Sequence, residues 1–108
     1  MTNFDEREKG FERKYAHDEE LAFKTNARRN KLLGLWAAEK LGKTGDEAAG
    51  YAKDVVLVDF ECEGDSDVIG KLLNDLRNAG IAITEEEITH EMQRLLPIAR
   101  KQIIGSET

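Results

Sequence analysis

One apolar cluster in this sequence is dense enough to constrain the fold, and it lies on a stretch with strong helix signals. When residues 28–42 are placed on a helix at about 100° per residue, Leu32, Leu33, Leu35 and Trp36 share one broad face. Gly42 follows directly, as is usual where a helix ends. The same face, extended towards the N-terminus, takes in Ala22, Tyr15, Phe11 and Phe4. We therefore predict one very long first helix that is densely apolar only in its C-terminal third.

The composition favours an all-α protein and excludes several other classes. Charged residues make up 35% of the chain and there is one proline, while Ala, Leu, Glu and Lys are abundant. No apolar run reaches the roughly 18–20 residues of a membrane span. A formal net charge of −6 argues against a nucleic-acid duplex as partner, and the single cysteine suits a reducing compartment. We expect a soluble, cytoplasmic protein that is monomeric when free, binds no nucleic acid and does not insert into a membrane.

Start and stop signals predict three further helices, at about residues 46–61, 67–79 and 85–104. Thr44 or Asp46 is expected to cap the second helix, and Asp65 or Ser66 the third. A capping box at Thr84 predicts the start of the fourth helix. The predicted apolar faces of these helices consist of Tyr51, Ala52, Val55, Val56, Val58 and Phe60 in the second, Val68, Ile69, Leu72, Leu73 and Leu76 in the third, and Ile88, Met92, Leu95, Leu96, Ala99 and Ile103 in the fourth.

The predicted architecture is a four-helix bundle, with a four-helix domain at residues 21–105 and an N-terminal arm at residues 1–20. The β-branched run at residues 55–58 would also fit a buried strand, but it has no partner strand. Pro97 removes the hydrogen bond to the carbonyl of Gln93, so we expect the fourth helix to kink or split there. The arm contains few apolar residues and a helix-weakening Gly10, so we expect it to be mobile when free.

Few residues suggest enzymatic or ligand-binding chemistry, and we expect no catalytic residues and no metal site. The acids at positions 59, 61, 63, 65 and 67 resemble a calcium loop, but Gly70 stands where a bidentate glutamate is needed. Residues 42–45 contain Gly-Lys-Thr without the rest of a phosphate-binding loop. A collar of Lys24, Arg28, Arg29 and Lys31 is either a solvated face or a grip for acidic groups of a partner.

Two stretches closely resemble the zeta subunit, the small protein inhibitor of the F-type ATP synthase of alpha-proteobacteria. The likeness covers nearly the whole chain. The stretches that carry it are Phe4-Asp5-x-Arg7-Glu8-x-x-Phe11-Glu12-x-Lys14-x-Ala16-His17-Asp18-Glu19-Glu20 and Ala27-Arg28-Arg29-Asn30-Lys31-Leu32-Leu33-Gly34-Leu35-Trp36-Ala37-Ala38.

The resemblance implies a non-enzymatic inhibitor whose arm enters the catalytic head of the synthase and blocks ATP hydrolysis by stopping rotation. The implied partners are the alpha, beta and gamma subunits, which would hold the protein peripheral to the inner membrane. The expected partner-binding residues are Phe4, Arg7, Phe11, Arg13, Lys14, Tyr15, His17, Asp18, Glu19 and Glu20. No cofactor is required, although the resemblance leaves adenine-nucleotide binding open. The alternative function is a small helical regulatory protein that binds an adenine nucleotide or calcium.

Overall fold

The computed structural model describes the main chain of residues 2–61 and 64–107, and the side chains of residues 18–61 and 64–106. Within these ranges the chain forms four α-helices and no strand, which confirms the all-α prediction. The helices are α1 (Thr2–Lys40), α2 (Gly45–Glu61), α3 (Asp65–Asn78) and α4 (Glu85–Glu107). The β-branched run of α2 is therefore helical.

Helix α1 is the central element of the bundle, since it packs against each of the other three helices. Its residues Leu33, Ala37 and Ala38 are fully buried at the centre of the core. The other helices supply the rest of the buried cluster, namely Tyr51, Val55, Val68, Leu72, Leu76, Ile88, Met92 and Leu95, with Ile83 from the loop before α4. Trp36 is partly buried and packs against this cluster, while the Lys40 ammonium lies 4.9 Å from its ring centroid.

The backbones of α1 and α2 approach closely at Gly34. A Cβ atom at this position would lie 2.7 Å from the Cα of Ala52 and 3.2 Å from Cγ2 of Val55. A separation under about 3 Å from a backbone atom cannot be accommodated without moving a helix. The missing side chain of Gly34 therefore fixes how closely the two helices cross.

Glycines end α1 and α3 as the sequence predicts. Gly42 and Gly80 have φ angles of 78° and 82°. The amide of Lys43 donates to the carbonyl of Ala38, and the amide of Ile81 donates to the carbonyl of Leu76. These bonds, which reach back across the last turn, are those of the Schellman motif, and they satisfy carbonyls that the helix end would otherwise leave free.

The predicted cap of α4 is confirmed and that of α3 is wrong. The amide of Glu87 donates to Oγ1 of Thr84 at 3.2 Å, as expected of a capping box. At α3 the N-cap residue is Gly64, with a φ of 97° and no side-chain cap bond. Asp65 and Ser66 already lie inside α3, because the glycine reverses the chain direction one residue earlier than the capping signal suggests.

Helix α4 continues through Pro97 as one element from Glu85 to Glu107. The prediction that it splits there is therefore wrong, and a bend of its axis at Pro97 stays a prediction. Pro97 and Gln93 are both exposed, so the carbonyl of Gln93, which the proline deprives of an amide partner, can bond to water instead.

Three residues predicted on apolar inner faces are exposed instead. Phe60 of α2 and Leu96 of α4 are 53% and 38% exposed, and Ala22 of α1 is also exposed. The helical period alone could not separate them from the core.

The molecule is elongated, with principal extents of 66 × 26 × 22 Å and a radius of gyration of 17.5 Å. A compact domain of this length would have a radius of gyration of about 13 Å. Helix α1 has 39 residues, so it is about 58 Å long at 1.5 Å per residue. The length of α1 accounts for the extended shape.

Candidate partner-binding surface

The N-terminal arm predicted to bind a partner is the first part of α1. The main chain is helical from Thr2, so the arm and the packed part of α1 form one helix. Seven of the ten predicted partner-binding side chains lie outside the described residues. They are Phe4, Arg7, Phe11, Arg13, Lys14, Tyr15 and His17.

The three remaining residues, Asp18, Glu19 and Glu20, are all exposed. Glu20 pairs with Lys24 one turn later, with 3.1 Å between the carboxylate oxygen and Nζ. Both members of this pair are substantially exposed, so water screens their attraction. These acids are presented on the outside of α1 just before it enters the bundle.

A shallow groove begins at this same position and runs between α1 and α4. Its apolar lining comes from Leu21 and Ala22 on α1 and from Leu96 and Ile104 on α4. Asp18 and Arg100 stand on its polar edges, and its volume is about 500 Å³. The exposure of Ala22 and Leu96 reported above is their exposure to this groove.

Part of the predicted basic collar is internal. Arg29 is only 6% exposed, and its Nη2 lies 2.7 Å from Oδ1 of Asp65 at the start of α3. The same guanidinium donates to Oδ1 of the neighbouring Asn30, at 3.1 Å from Nη2. The charge of Arg29 thus ties α1 to α3, which a sequence pattern of four clustered cations does not reveal. Lys24, Arg28 and Lys31 remain on the surface side of the collar.

A second polar connection joins α2 to α3. The hydroxyl of Tyr51 donates to Oδ2 of Asp75 at 2.8 Å, and Nζ of Lys71 lies 3.1 Å from the same oxygen. Burial raises the pKa of the Tyr51 hydroxyl well above its usual range, and the hydrogen bond to Asp75 and the negative charges of Asp75 and Asp54 raise it further. Tyr51 therefore stays protonated and works as a fixed donor between the helices.

An apolar surface that the sequence analysis did not identify lies where α1 and α2 run side by side. The rings of Phe23 and Phe60 are 5.2 Å apart between centroids, with a tilt of 42°. Phe23 is 57% exposed, and Leu57 is also exposed on α2. Phe60 was predicted on the apolar face of α2 and Phe23 on no apolar face, so no sequence signal pairs the two rings.

Neither the Gly-Lys-Thr turn nor the described part of the acidic connection has the geometry of a ligand-binding site. In the Gly-Lys-Thr turn, the amides of Gly42 and Lys43 already donate to the carbonyls of Glu39 and Ala38, so they cannot cradle a phosphate. Among the described residues, no three His, Cys, Asp or Glu side chains gather closely enough to hold a metal ion. Glu63 of the acidic connection is not one of the described residues.

No helix in the described ranges is both long and apolar enough to cross a lipid bilayer.

A solved structure supports the described fold. A protein of 46% sequence identity, whose solution NMR structure is known, superposes with a TM-score of 0.68. The match covers 78% of this chain and 95% of the other. None of the curated proteins is significantly similar to this chain.

The comparison with protein families identifies the chain. Residues 1–102 match the family described as ATPase inhibitor subunit zeta. The matched region takes in α1, α2, α3 and most of α4, so it spans the arm, both interhelical polar connections and the close crossing at Gly34. This chain therefore belongs to the ATPase inhibitor subunit zeta family.

Proposed function

We propose that this protein inhibits ATP hydrolysis by an F-type ATP synthase, and that it does so by inserting the N-terminal part of α1 into the catalytic head. The family assignment supports an ATPase inhibitor. The observation that carries the insertion mechanism is the length of α1, which runs without a break from Thr2 to Lys40 and is far longer than the bundle needs.

The lengths of the helices make this argument quantitative. Helices α2, α3 and α4 have 17, 14 and 23 residues, so at 1.5 Å per residue they are about 25, 21 and 35 Å long. Helix α1 exceeds the longest of them by about 24 Å on the same rise. The first buried side chain of α1 among those described is Thr25. An extension of this length is suited to entering the interface between two subunits.

The proposed contacts follow from the helical arrangement of the arm. Phe4, Phe11 and Tyr15 are spaced by seven and four residues, so they share one face and can act as anchors in a groove. The charged residues around them would set the register and direction of insertion through complementary charges. Those residues are Arg7, Arg13, Lys14, His17, Asp18, Glu19 and Glu20.

The bundle gives the inserted arm a stop. Its packed part measures more than 20 Å across in both short directions, whereas a single helix with side chains is about 10–12 Å wide. We propose that the alpha, beta and gamma subunits receive the arm while the bundle remains outside. The protein would then be cytoplasmic and peripheral to the inner membrane through its partner, act without catalysis of its own and require no cofactor.

The test is ATP hydrolysis by the isolated catalytic head with the full chain and with a variant lacking residues 1–20. We expect the full chain to inhibit and the shortened chain to lose inhibition. Cooperative unfolding of both chains would show that the shortened chain is still folded. A matched pair of substitutions sharpens the result. Phe11→Ala should weaken inhibition, because it removes an anchor, and Gln102→Ala on the exposed side of α4 should leave inhibition unchanged. Equal inhibition by the full and shortened chains would overturn the insertion mechanism.

A further inference from the structure

A basic and apolar surface lies on α1 next to the arm, and neither the fold nor the proposed arm contacts explain it. From Leu21 to Ala38 the sequence contains four cationic residues and no acidic one, in a chain whose net charge is −6. Arg29 is internal and neutralised by Asp65. The other three cations, Lys24, Arg28 and Lys31, are spaced by four and three residues, so they form one stripe along α1.

This stripe borders a shallow groove rather than a flat helix surface. Lys24, Arg28 and Lys31 line a depression of about 300 Å³ together with Phe23. Its apolar floor comes from all three adjacent helices, namely Ala27 of α1, Val56 of α2 and Ile103 of α4. No acidic residue is among the described residues that line it.

Next to this depression, the Phe23–Phe60 pair exposes apolar area to water, which is unfavourable. Phe23 and Phe60 lie 5.2 Å apart, and each is more than half exposed. Exposed aromatic rings next to cationic side chains are typical of protein-binding surfaces, where aromatic anchors are enriched and charges select the partner.

We propose that this surface docks an acidic segment of the catalytic head, in which Asp or Glu residues flank an apolar side chain. The carboxylates would pair with Arg28 and Lys31, next to Lys24, which is already paired with Glu20. The apolar side chain would pack on Phe23 and Phe60. This inference rests on the proposed function, because it takes the catalytic head as the partner.

The position of the surface on α1 favours this occupant over others. Lys31 lies 11 residues after Glu20, which is about 17 Å along the helix. A partner that encloses residues 1–20 must therefore have its entrance close to the surface. A symmetric dimer through this surface would bring the cations of two copies together, and this like-charge contact disfavours it.

The test compares two full-length variants that have the same net charge. Arg28→Glu/Lys31→Glu reverses two charges on the surface, whereas Lys43→Glu/Lys101→Glu reverses two charges away from it. Association with the isolated catalytic head is measured at several salt concentrations, together with inhibition at saturating protein. Phe60→Ser is the apolar counterpart and should fold normally, because Phe60 is more than half exposed.

We expect the surface variant to associate about tenfold more slowly at low salt and with a weaker salt dependence, as for lost electrostatic steering. The control variant should stay within about twofold of the original protein. Inhibition at saturation should persist in the surface variant, because the arm is intact. Phe60→Ser should speed dissociation, and zero-length cross-linking should join Lys31 to acidic residues of the head.

Three results would overturn the inference, and they are distinguishable from failure of the proposed function. If the original protein binds and inhibits but both double variants associate equally, only the docking surface is wrong. Sedimentation of the free protein as a dimer that the surface variant abolishes would assign the surface to a second copy. Binding to anionic phosphatidylglycerol vesicles that the surface variant alone loses would assign it to a lipid surface. If the original protein does not bind the head at all, both proposals fail.

Discussion

At the scale of single residues, the close crossing of α1 and α2 is possible because Gly34 has no Cβ atom. We predict that Gly34→Ala lowers the free energy of unfolding by about 1–3 kcal/mol, the usual cost of overpacking. The added Cβ would lie 2.7 Å from the Cα of Ala52, and the backbone of α2 would have to move. The helix-forming advantage of alanine, about 1 kcal/mol at most, offsets only part of this cost. Urea denaturation measures the change.

Gly50→Ala is the matched control, because Gly50 lies inside α2 and a Cβ there meets no atom within 4 Å. The same substitution should therefore stabilise the protein by about 0.5–1 kcal/mol through helix propensity alone. If both variants change stability in the same direction, the close crossing at Gly34 is not what makes that position require glycine.

Tyr51 gives the stability of the bundle a dependence on alkaline pH. Its pKa is raised in the folded protein, whereas an unfolded tyrosine ionises near about pH 10. Below that pH both states hold the proton, and above it only the unfolded state releases it. The stabilising contribution of Tyr51 is therefore complete below about pH 10 and is lost as the pH rises towards the folded pKa.

We predict that Tyr51→Phe costs about 1 kcal/mol at neutral pH, the typical net value of one hydrogen bond. The difference in unfolding free energy between the original protein and the variant should shrink as the pH rises above 10. Denaturation of both proteins between pH 8 and pH 11.5 measures this. A difference that stays constant with pH would contradict the assignment.

Residue by residue, the sequence predicted side chains whose burial follows from helical period, and it missed those whose role depends on a distant partner. Leu33, Leu72 and Ile88 were identified as core because each repeats with its neighbours every three or four positions. Arg29 was not, since its burial depends on Asp65, 36 positions away.

At the scale of helices, substitution of Pro97 in α4 tests whether this residue affects stability through the backbone of the helix or through packing. We predict that Pro97→Ala raises the free energy of unfolding by about 1–3 kcal/mol, because alanine restores the amide that can bond to the carbonyl of Gln93. Pro97 is exposed, so its loss removes little packing. Gln102→Ala, on the same helix, should change stability by less than about 0.5 kcal/mol. Thermal unfolding of the two variants decides this, and a less stable Pro97→Ala protein would show that the proline has a packing role.

Helix boundaries were predictable where the signal was chemical and local. Thr84 and Gly80 each act through hydrogen bonds within one turn, so the sequence alone predicts the start of α4 and the end of α3. The start of α3 was predicted incorrectly, because three consecutive residues, Gly64, Asp65 and Ser66, can each serve as an N-cap and the sequence does not show which one does. Helix α4 extends to Glu107, past the predicted end at residue 104, and the buried Ile103 lies about one turn before its last residue.

At the scale of the whole molecule, the shape depends on how far α1 extends past the bundle. We predict that removing residues 1–20 lowers the radius of gyration from 17.5 Å to about 12 Å, the value for a compact domain of the remaining length. The melting temperature should change little, because the buried core begins at Thr25 among the described side chains. Small-angle scattering and calorimetry measure both quantities. A large fall in melting temperature would mean that the arm contributes to the bundle.

The all-α architecture was predictable, because it follows from helical period, whereas the division into an arm at residues 1–20 and a four-helix domain stays a prediction. The predicted partner-binding side chains at residues 4–17 lie outside the described ones, so their roles stay predictions. The surface at Phe23 and Lys31 emerged only from the structure, since it combines residues of three helices.

Helix α1 carries both the projecting N-terminal part and Leu33 at the centre of the core. A force on the N-terminal part is therefore transmitted along one continuous helix to the core of the bundle. An α-helix resists bending over such short lengths, so a twisting load on the N-terminal part passes directly to the anchored end. If the proposed insertion takes place, displacing the inserted part would require moving or unfolding the bundle, and we expect resistance to rotation to increase with the stability of the bundle.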